Sequence, residues 1–574
     1  MNHNMKTYAQ LRTPFFRLRS SVSFFSIILT INIFLITINP TTAQQLDIQW
    51  QNCFGDNESN KASCITPTNQ GYLFGMMAIE EGPPNFHGNA DVWLIHIDTV
   101  GNMLWENCYG GSGGDWPLKL IRVSENEYYL YAMSNSTDGD VQSENRGNTD
   151  IWIVKMNGNG DIIWERCYGS SHSEEGRTAQ LCPDGGLLLL SRVTTADGDV
   201  SEYFGSSDIW LTKIDSLGNI EWEKTYGNQY LDNVIDILLT SDSCILLTGA
   251  NDKAGGMVTC HPNADYATDV WLLKLDMLGN IIWQGCYGGT YYDLAKRVVE
   301  VSDGYIIAAS TNSNDGDVSG YHGVPGEPGK KDIWVFKINF EGNLLWQRCF
   351  LGGGYESLKY FSQTENGSFI IIGSTSSNDS DVSGNHSTPG ERDIWMFEFS
   401  DGGELLWQRC YGGWRQEGLE GTPVYKISDY NYVIAANTNY ATDDVQCETV
   451  DYSGDAWVFE IKDTTVGIQQ TPINTQLSVY PNPANNYVVF ETNKNVILNA
   501  NGGMQGSANE ESSQNNPQSP AKITITTTLG QQIAQLEVKV DKTVWDTRSI
   551  QSGVYFYFLQ IEEKRYSGKV IVQK

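Results

Sequence analysis

Positive charge is scarce in this sequence: 37 lysines and arginines stand against 69 aspartates and glutamates, a formal net charge of −32 at pH 7 with a pI near 4.5. Nucleic acids and anionic membrane surfaces call for basic patches, so this balance argues against both as partners. An acidic surface keeps a protein soluble and can gather divalent cations. Histidine is also rare, at 7 of 574 residues. There is no Cys-x-x-Cys and no zinc-site spacing, and nothing resembles a serine nucleophile elbow leading from a strand into a helix, a phosphate-cradling glycine loop or His-Glu-x-x-His. These absences remove the motif-borne routes to metal, acyl-transfer and nucleotide chemistry. A glycosidase needs only two carboxylates at a fixed separation, and among 69 acids that chemistry stays open. Helical periodicity is missing too. The one long apolar run is Phe24–Ile38, short for a membrane span, which needs about 20 apolar residues.

What the chain does have is a repeat. One tryptophan column reads Asp-x-Trp, at Trp93, Trp152, Trp210, Trp271, Trp334, Trp395 and Trp457; a second, Trp-x-x-[Cys/Thr], falls at Trp50, Trp105, Trp164, Trp222, Trp283, Trp346 and Trp407. The period of roughly 60 residues marks a solenoid, propeller or array. Within a unit the alternation has period two, as in Ile394–Phe399, and Asp-x-x-Gly-Asn turns such as Asp98–Asn102 supply the positive φ a hairpin needs. A second hairpin precedes it, as at Lys359–Gln363 and Phe369–Ser374. Each unit is therefore four antiparallel strands, A to D, and such units suit an all-β, seven-bladed β-propeller whose blades pack face to face. The series opens on a lone D strand, Leu46–Cys53, and closes on a C strand, Asp455–Lys462, so the N-terminal strand is expected to complete the last blade. Both tryptophan columns are expected to be buried between blades.

Residues 1–43 combine a basic region, a short apolar core and a small-residue exit, the pattern of a secretory signal peptide. The propeller is expected over 44–464, a polar linker over 465–476 and a small Ig-like β-sandwich over 477–574, interrupted by a disordered Asn-, Gly-, Ser- and Gln-rich insertion, 493–520. No second apolar run of spanning length occurs, so no transmembrane helix is expected once the signal is removed. Eleven cysteines leave at least one free thiol in a monomer. Six of them (Cys53, Cys108, Cys167, Cys286, Cys349, Cys410) share one place on successive D strands. Such positions lie on the order of 15 Å apart, too far to bridge one another, since a disulfide holds its Cα atoms within about 7 Å.

The C-terminal segment carries Tyr480-Pro481-Asn482-Pro483, then Leu529-Gly530-Gln531, then Gly553-Val554-Tyr555 and a terminal Lys574. This pattern resembles the type A C-terminal sorting domain of type IX secretion cargo, over roughly the last hundred residues. It departs from that pattern in the 493–520 insertion and in Gln531, where an arginine is more usual. The resemblance implies a cargo of Bacteroidota that reaches the periplasm and is passed through the outer membrane by the type IX machinery, to be released or held at the cell surface. The propeller repeats resemble those of uncharacterised surface propellers of the same bacteria, a likeness that implies no activity.

In a propeller the B–C and D–A connections share one face, and here they are the longer ones, so function is expected there. The D–A connections contribute Trp116, His172, Tyr291, Tyr292, Tyr355 and Trp414, aromatic and imidazole groups suited to stacking on sugars. The B–C loops repeat Asp-x-Asp-Val, at Asp138 and Asp140, Asp197 and Asp199, Asp315 and Asp317, and Asp379 and Asp381, with a degenerate Asp443-Asp444-Val445. Paired carboxylates can present oxygens to Ca²⁺, which takes six to eight at about 2.4 Å; the alternative is that they rigidify tight turns. No other cofactor is expected. Four histidines, His87, His261, His322 and His386, fall in the same loops, each in a different blade. The sequence thus points to a non-catalytic binder of glycan or protein, with a polysaccharide hydrolase or lyase and a structural adhesion component as its rivals.

Overall fold

The computed structural model describes residues 46–463 apart from 56–59, 80–81, 261–267, 328 and 448–453, and residues 477–572 apart from 481–485, 493–521, 528–530, 539–541 and 562–563. The signal peptide, linker and insertion, together with His261, Pro481, Asn482, Pro483 and Lys574, lie outside the described residues. The chain divides between Thr465 and Val466 into two compact units.

In the first unit the predicted hairpins form, and they assemble into seven antiparallel sheets, a β-propeller. Six sheets take their four strands in chain order, spanning 62–109, 115–168, 175–226, 232–287, 293–350 and 356–411. In the seventh, the A strand is split into Glu417–Gly418 and Val424–Ser428; Asn431–Thr438 and Asp455–Asp463 follow, and the outermost strand is Leu46–Phe54, paired antiparallel with Asp455–Asp463. Seven apolar clusters each join two successive sheets. One of them joins Phe74 and Trp93 of the first sheet to Val433 and Val458 of the seventh.

The repeated residues explain this packing. Every C-strand tryptophan is buried, and its indole N–H donates to the Glu or Gln that follows the D-strand tryptophan: Trp93 to Glu106, Trp152 to Glu165, Trp210 to Glu223, Trp271 to Gln284, Trp334 to Gln347, Trp395 to Gln408 and Trp457 to Gln51, at 2.9–3.1 Å. A large apolar ring can be buried at low cost only when its one donor is satisfied. The D-strand column differs from expectation: its tryptophans are half-buried, because the outermost strand has no further strand beyond it. There the indole lies over the C–D turn of the next blade, as Trp164 does over Gly218. The tyrosine that ends the D strand completes the latch. Tyr109, Tyr168, Tyr226 and Tyr287 donate to the carbonyls of Gly160, Gly218, Gly279 and Gly342, turn glycines of the following blade, at 2.6–2.8 Å. Trp395→Ala is expected to cost about 3–5 kcal/mol and Trp407→Ala roughly 2 kcal/mol, read from urea midpoints; equal losses would remove the distinction between the columns.

None of the six D-strand cysteines bridges another. Cys53 and Cys286 instead pair with Cys447 and Cys260 of the B–C loops in their own sheets, while Cys64, Cys167, Cys182, Cys244, Cys349 and Cys410 are free thiols. Burial pushes the Cys64 and Cys167 thiols up to about 12, which keeps them unreactive.

The second unit has two sheets, one of Leu477–Tyr480, Tyr487–Thr492 and Lys542–Asp546, the other of Gln532–Glu537, Lys522–Thr527, Gly553–Ile561 and Lys564–Val572. Val488, Phe490, Ile523, Ile525, Trp545, Leu559 and Val570 fill its core. Tyr555 stands edge-on to Trp545, with centroids 5.6 Å apart, and donates to the Gln551 carbonyl at 2.8 Å. Gly553 opens the strand that carries it, and Tyr480 ends the first strand of the other sheet.

Candidate functional site

The long-loop face of the propeller is built from two loops per blade, and the Asp-x-Asp motif ties them together. The first aspartate accepts from the backbone of the D–A loop: Asp138 from Ser112 N–H at 2.7 Å, Asp197 from Ser171 at 2.6 Å, Asp315 from Thr290 at 2.6 Å and Asp379 from Gly353 at 2.6 Å. The second accepts from the first loop residue after the D strand: Asp140 from Gly110, Asp199 from Gly169, Asp317 from Gly288 and Asp381 from Leu351, at 3.1–3.2 Å. Between them Gly139, Gly198 and Gly316 are left-handed at φ 60–65°, a conformation that Ser380 and Asp443 also adopt. Hydrogen bonds from Ser112 and Ser171 hold Asp138 and Asp197 below the usual carboxylate range. The eight carboxylates thus work as clamps on the neighbouring loop. Among the described residues no group of three or more His, Cys, Asp or Glu could hold a metal ion.

The histidines repeat one structural job rather than converge. Nδ1 of His87 lies 2.9 Å from Asp91, and Nδ1 of His386 lies 2.9 Å from Asp393. His322 meets Asp332 through its backbone N–H instead. Those aspartates are the Asp of Asp-x-Trp, and in six junctions this Asp is buried beside an acid at, or one residue before, the start of the next A strand: Asp91 by Asp115, Asp150 by Glu174, Asp208 by Asp232, Asp269 by Asp293, Asp332 by Glu356 and Asp393 by Glu417. At the seventh junction Asn60 stands beside Asp455. Burial pushes Glu174, Asp232, Asp332 and Glu356 up to about 7 and Glu417 to about 8. Protonation is how two buried carboxyls tolerate each other.

The expected aromatic residues are spread around the face. Lys331 Nζ sits 3.4 Å from the centre of the Tyr292 ring, Arg392 lies 4.2 Å from that of Tyr355, and Arg415 lies 5.3 Å from both Trp414 and Tyr440. One face of each ring is therefore occupied by a cation. Tyr291, Trp414 and His172 are exposed. Trp116 lines a cavity of about 520 Å³, set between the second and third sheets and bounded also by Met133, Thr149, Ser173, Glu175 and Arg192. There Glu175 pairs with Arg192 at 2.5 Å and with Arg177 at 2.8 Å. The buried Nε of Arg192 and the buried Oγ of Ser207 have no partner among the described residues. Sequence reasoning missed Arg192. Its signal was available: in the B-strand column where it sits the other repeats carry Met77, Met133, Ala250, Ser310, Ser374 and Asn437, and it is the one charge.

Residues 478–573 match the family described as a secretion system C-terminal sorting domain, the type IX tail that the sequence motifs indicated. The chain is type IX cargo with a propeller-like repeat fold, exported to the medium or the cell surface. No curated protein matches the sequence. Among solved structures the chain is similar to a DUF4221 family member from Bacteroides vulgatus (11% identity, TM-score 0.32, 57% of this chain and 92% of that one). It is similar to puromycin hydrolase (11%, TM-score 0.40, 78% and 62%) and to Drosophila Plexin A in complex with Semaphorin 1b (8%, TM-score 0.38, 73% and 88%). The chain spans less than two thirds of the hydrolase. At these scores the likenesses carry no argument about activity. Among the described residues no helix is long and apolar enough to cross a membrane.

Proposed function

We propose that this protein is a non-catalytic, exported propeller that takes a glycan or protein ligand on its long-loop face, with the cavity beside Trp116 as the seat. A signal peptide, residues 1–43, brings it to the periplasm, and the sorting tail then engages the type IX machinery for passage through the outer membrane. Completion of the ring by Leu46–Phe54 belongs to this reading, because the face is continuous only if the first and seventh blades stay joined. The cavity carries the proposal: an indole, a methionine and hydroxyl groups around one arginine combine apolar contact with a few oriented donors, the composition of a ligand pocket. The rival, a polysaccharide hydrolase, has Glu174 at the cavity wall with a raised pKa. The same buried acid pair recurs at five further junctions, which supports an architectural role for it over a catalytic one. The Asp-x-Asp loops are read as clamps, and calcium dependence is tested alongside.

A glycan array run with and without Ca²⁺, followed by titration of any hit against Trp116→Ala, tests the reading. Loss of one stacking ring is expected to weaken the hit roughly tenfold, about 1.4 kcal/mol, with no release of reducing ends. Binding indifferent to Trp116→Ala removes the cavity from the account, and release of reducing ends transfers it to the hydrolase.

A further inference from the structure

The innermost strands share a feature the function above does not use. In each of the first six sheets the A strand carries a β-bulge at the same place: between Ala62 and Cys64, Pro117 and Lys119, Gly176 and Thr178, Val234 and Asp236, Ala295 and Arg297, and Leu358 and Tyr360. The residue lifted out of the ladder is Ser63, Leu118, Arg177, Ile235, Lys296 or Lys359. A bulge re-aims its side chain and releases it from strand pairing. All six sit near the start of the A strand, the end nearer the long loops. Three are cations, and Lys119 and Arg297 follow directly on two of the bulges.

These cations face one another around the propeller axis. Arg297 of the fifth sheet donates to the Lys359 carbonyl of the sixth at 3.0 Å and reaches Gly421 O of the seventh at 3.4 Å. Lys119 of the second sheet bonds Thr178 Oγ1 and Ala179 O of the third, at 3.1 and 2.8 Å. Lys296 has no hydrogen-bond acceptor and no ion-pair partner among the described residues, and the buried Nε of Arg177 likewise has no acceptor. The carboxylates facing the group are Glu175 on Arg177, Glu420 at 3.8 Å from Lys359, and Asp236 near Lys119. Burial, together with Lys359, Lys331, Arg297 and Arg177 around it, pushes the Lys296 ammonium down to about 7. In a chain of net charge −32 this is a concentration of the opposite sign, gathered at one point where like charges repel.

We propose that the long-loop end of the axis, lined by Arg177, Lys296, Arg297 and Lys359, is a binding site for an oxyanion, a phosphate, sulfate or carboxylate group. Guanidinium forks and ammonium groups are the side chains that recognise such groups. Glu175, which pairs with Arg177, also borders the cavity beside Trp116, whereas Lys296, Arg297 and Lys359 are not among the residues lining that cavity.

The test titrates the full-length secreted chain with inorganic phosphate, sulfate and citrate by calorimetry, at ionic strength matched with sodium chloride. At least one of the three is expected to bind saturably where chloride does not, and the one that binds identifies the group. Lys296→Met is expected to weaken that binding roughly tenfold, and Lys296→Met with Arg177→Gln to abolish it, while Trp116→Ala leaves it unchanged. Because removing a charge from the cluster relieves repulsion, both variants are expected to melt no lower than the parent in chloride alone. Absence of saturable binding by all three anions overturns the proposal, as does undiminished binding in the double variant; so does a Lys296→Met protein that fails to fold.

Discussion

Raising the pH from about 5 to about 8.5 is expected to lower the unfolding free energy of the propeller unit by several kcal/mol, on the order of 1 kcal/mol for each junction that buries two acids. The sign follows from the direction of the shifts. Glu174, Asp232, Asp332 and Glu356 are pushed up to about 7, Asp293 to about 6 and Glu417 to about 8, chiefly by burial, and Asp91, Asp115, Asp150, Asp208 and Asp393 are raised for the same reason. An unfolded carboxyl titrates near 4. The folded state therefore keeps protons that the unfolded state gives up. This contribution is fully present below about pH 4 and is lost as the pH rises through the folded values, 6 to 8. Urea titrations at several pH values measure the slope. Net negative charge acts in the same direction, so the discriminating variant is Glu417→Gln. It is expected to flatten the slope and to stabilise the protein at pH 8.5 more than the exchange of a surface glutamate does. The seventh junction is a natural precedent, with Asn60 where the others have an acid. Stability that rises with pH over this range would contradict the paired-acid account.

Deleting Leu46–Phe54 removes the outer strand of the seventh sheet and is expected to cost the propeller unit more than any single tryptophan substitution, roughly 5 kcal/mol or more. The strand supplies Gln51, which accepts from Trp457 at 2.9 Å, and Trp50, which donates to Glu460 at 2.7 Å; the Leu46 carbonyl accepts from Tyr411 at 2.9 Å and Arg409 at 2.7 Å. Without it the buried indole of Trp457 loses both its cover and its acceptor. Limited proteolysis should then cut first within the seventh sheet. A milder version leaves the strand in place and removes only the Cys53–Cys447 link, whose two ends are 394 residues apart. Cys53→Ser with Cys447→Ser is expected to lower stability by about 2–5 kcal/mol, through the entropy of the unfolded chain. A truncated chain that melts with the parent would mean that the N-terminal strand is an accessory and not part of the seventh blade.

Much of this was legible because repetition turns weak local signals into strong ones. The two tryptophan columns located the hairpins and the number of sheets they form, since period-two alternation and Gly turns read the same way each time. The tail motifs located the sorting domain. Other features depended on which residue a side chain meets in the neighbouring blade. The two aspartates of each Asp-x-Asp pair accept from N–H groups of the adjoining loop, and the D-strand tryptophans lie half open because no strand follows them. The cations over Tyr292, Tyr355 and Trp414 come from Lys331, Arg392 and Arg415, and only Arg415 is near its ring in sequence.

By itself, then, the sequence determined the strands, their number and the export tail, because those follow from local periodicity and short motifs. Tertiary structure alone decided the cavity beside Trp116, the six buried acid pairs and the cations at the axis. Each of these joins residues that lie 20 or more positions apart, or in different sheets, so its electrostatics and its shape exist only once the blades are side by side.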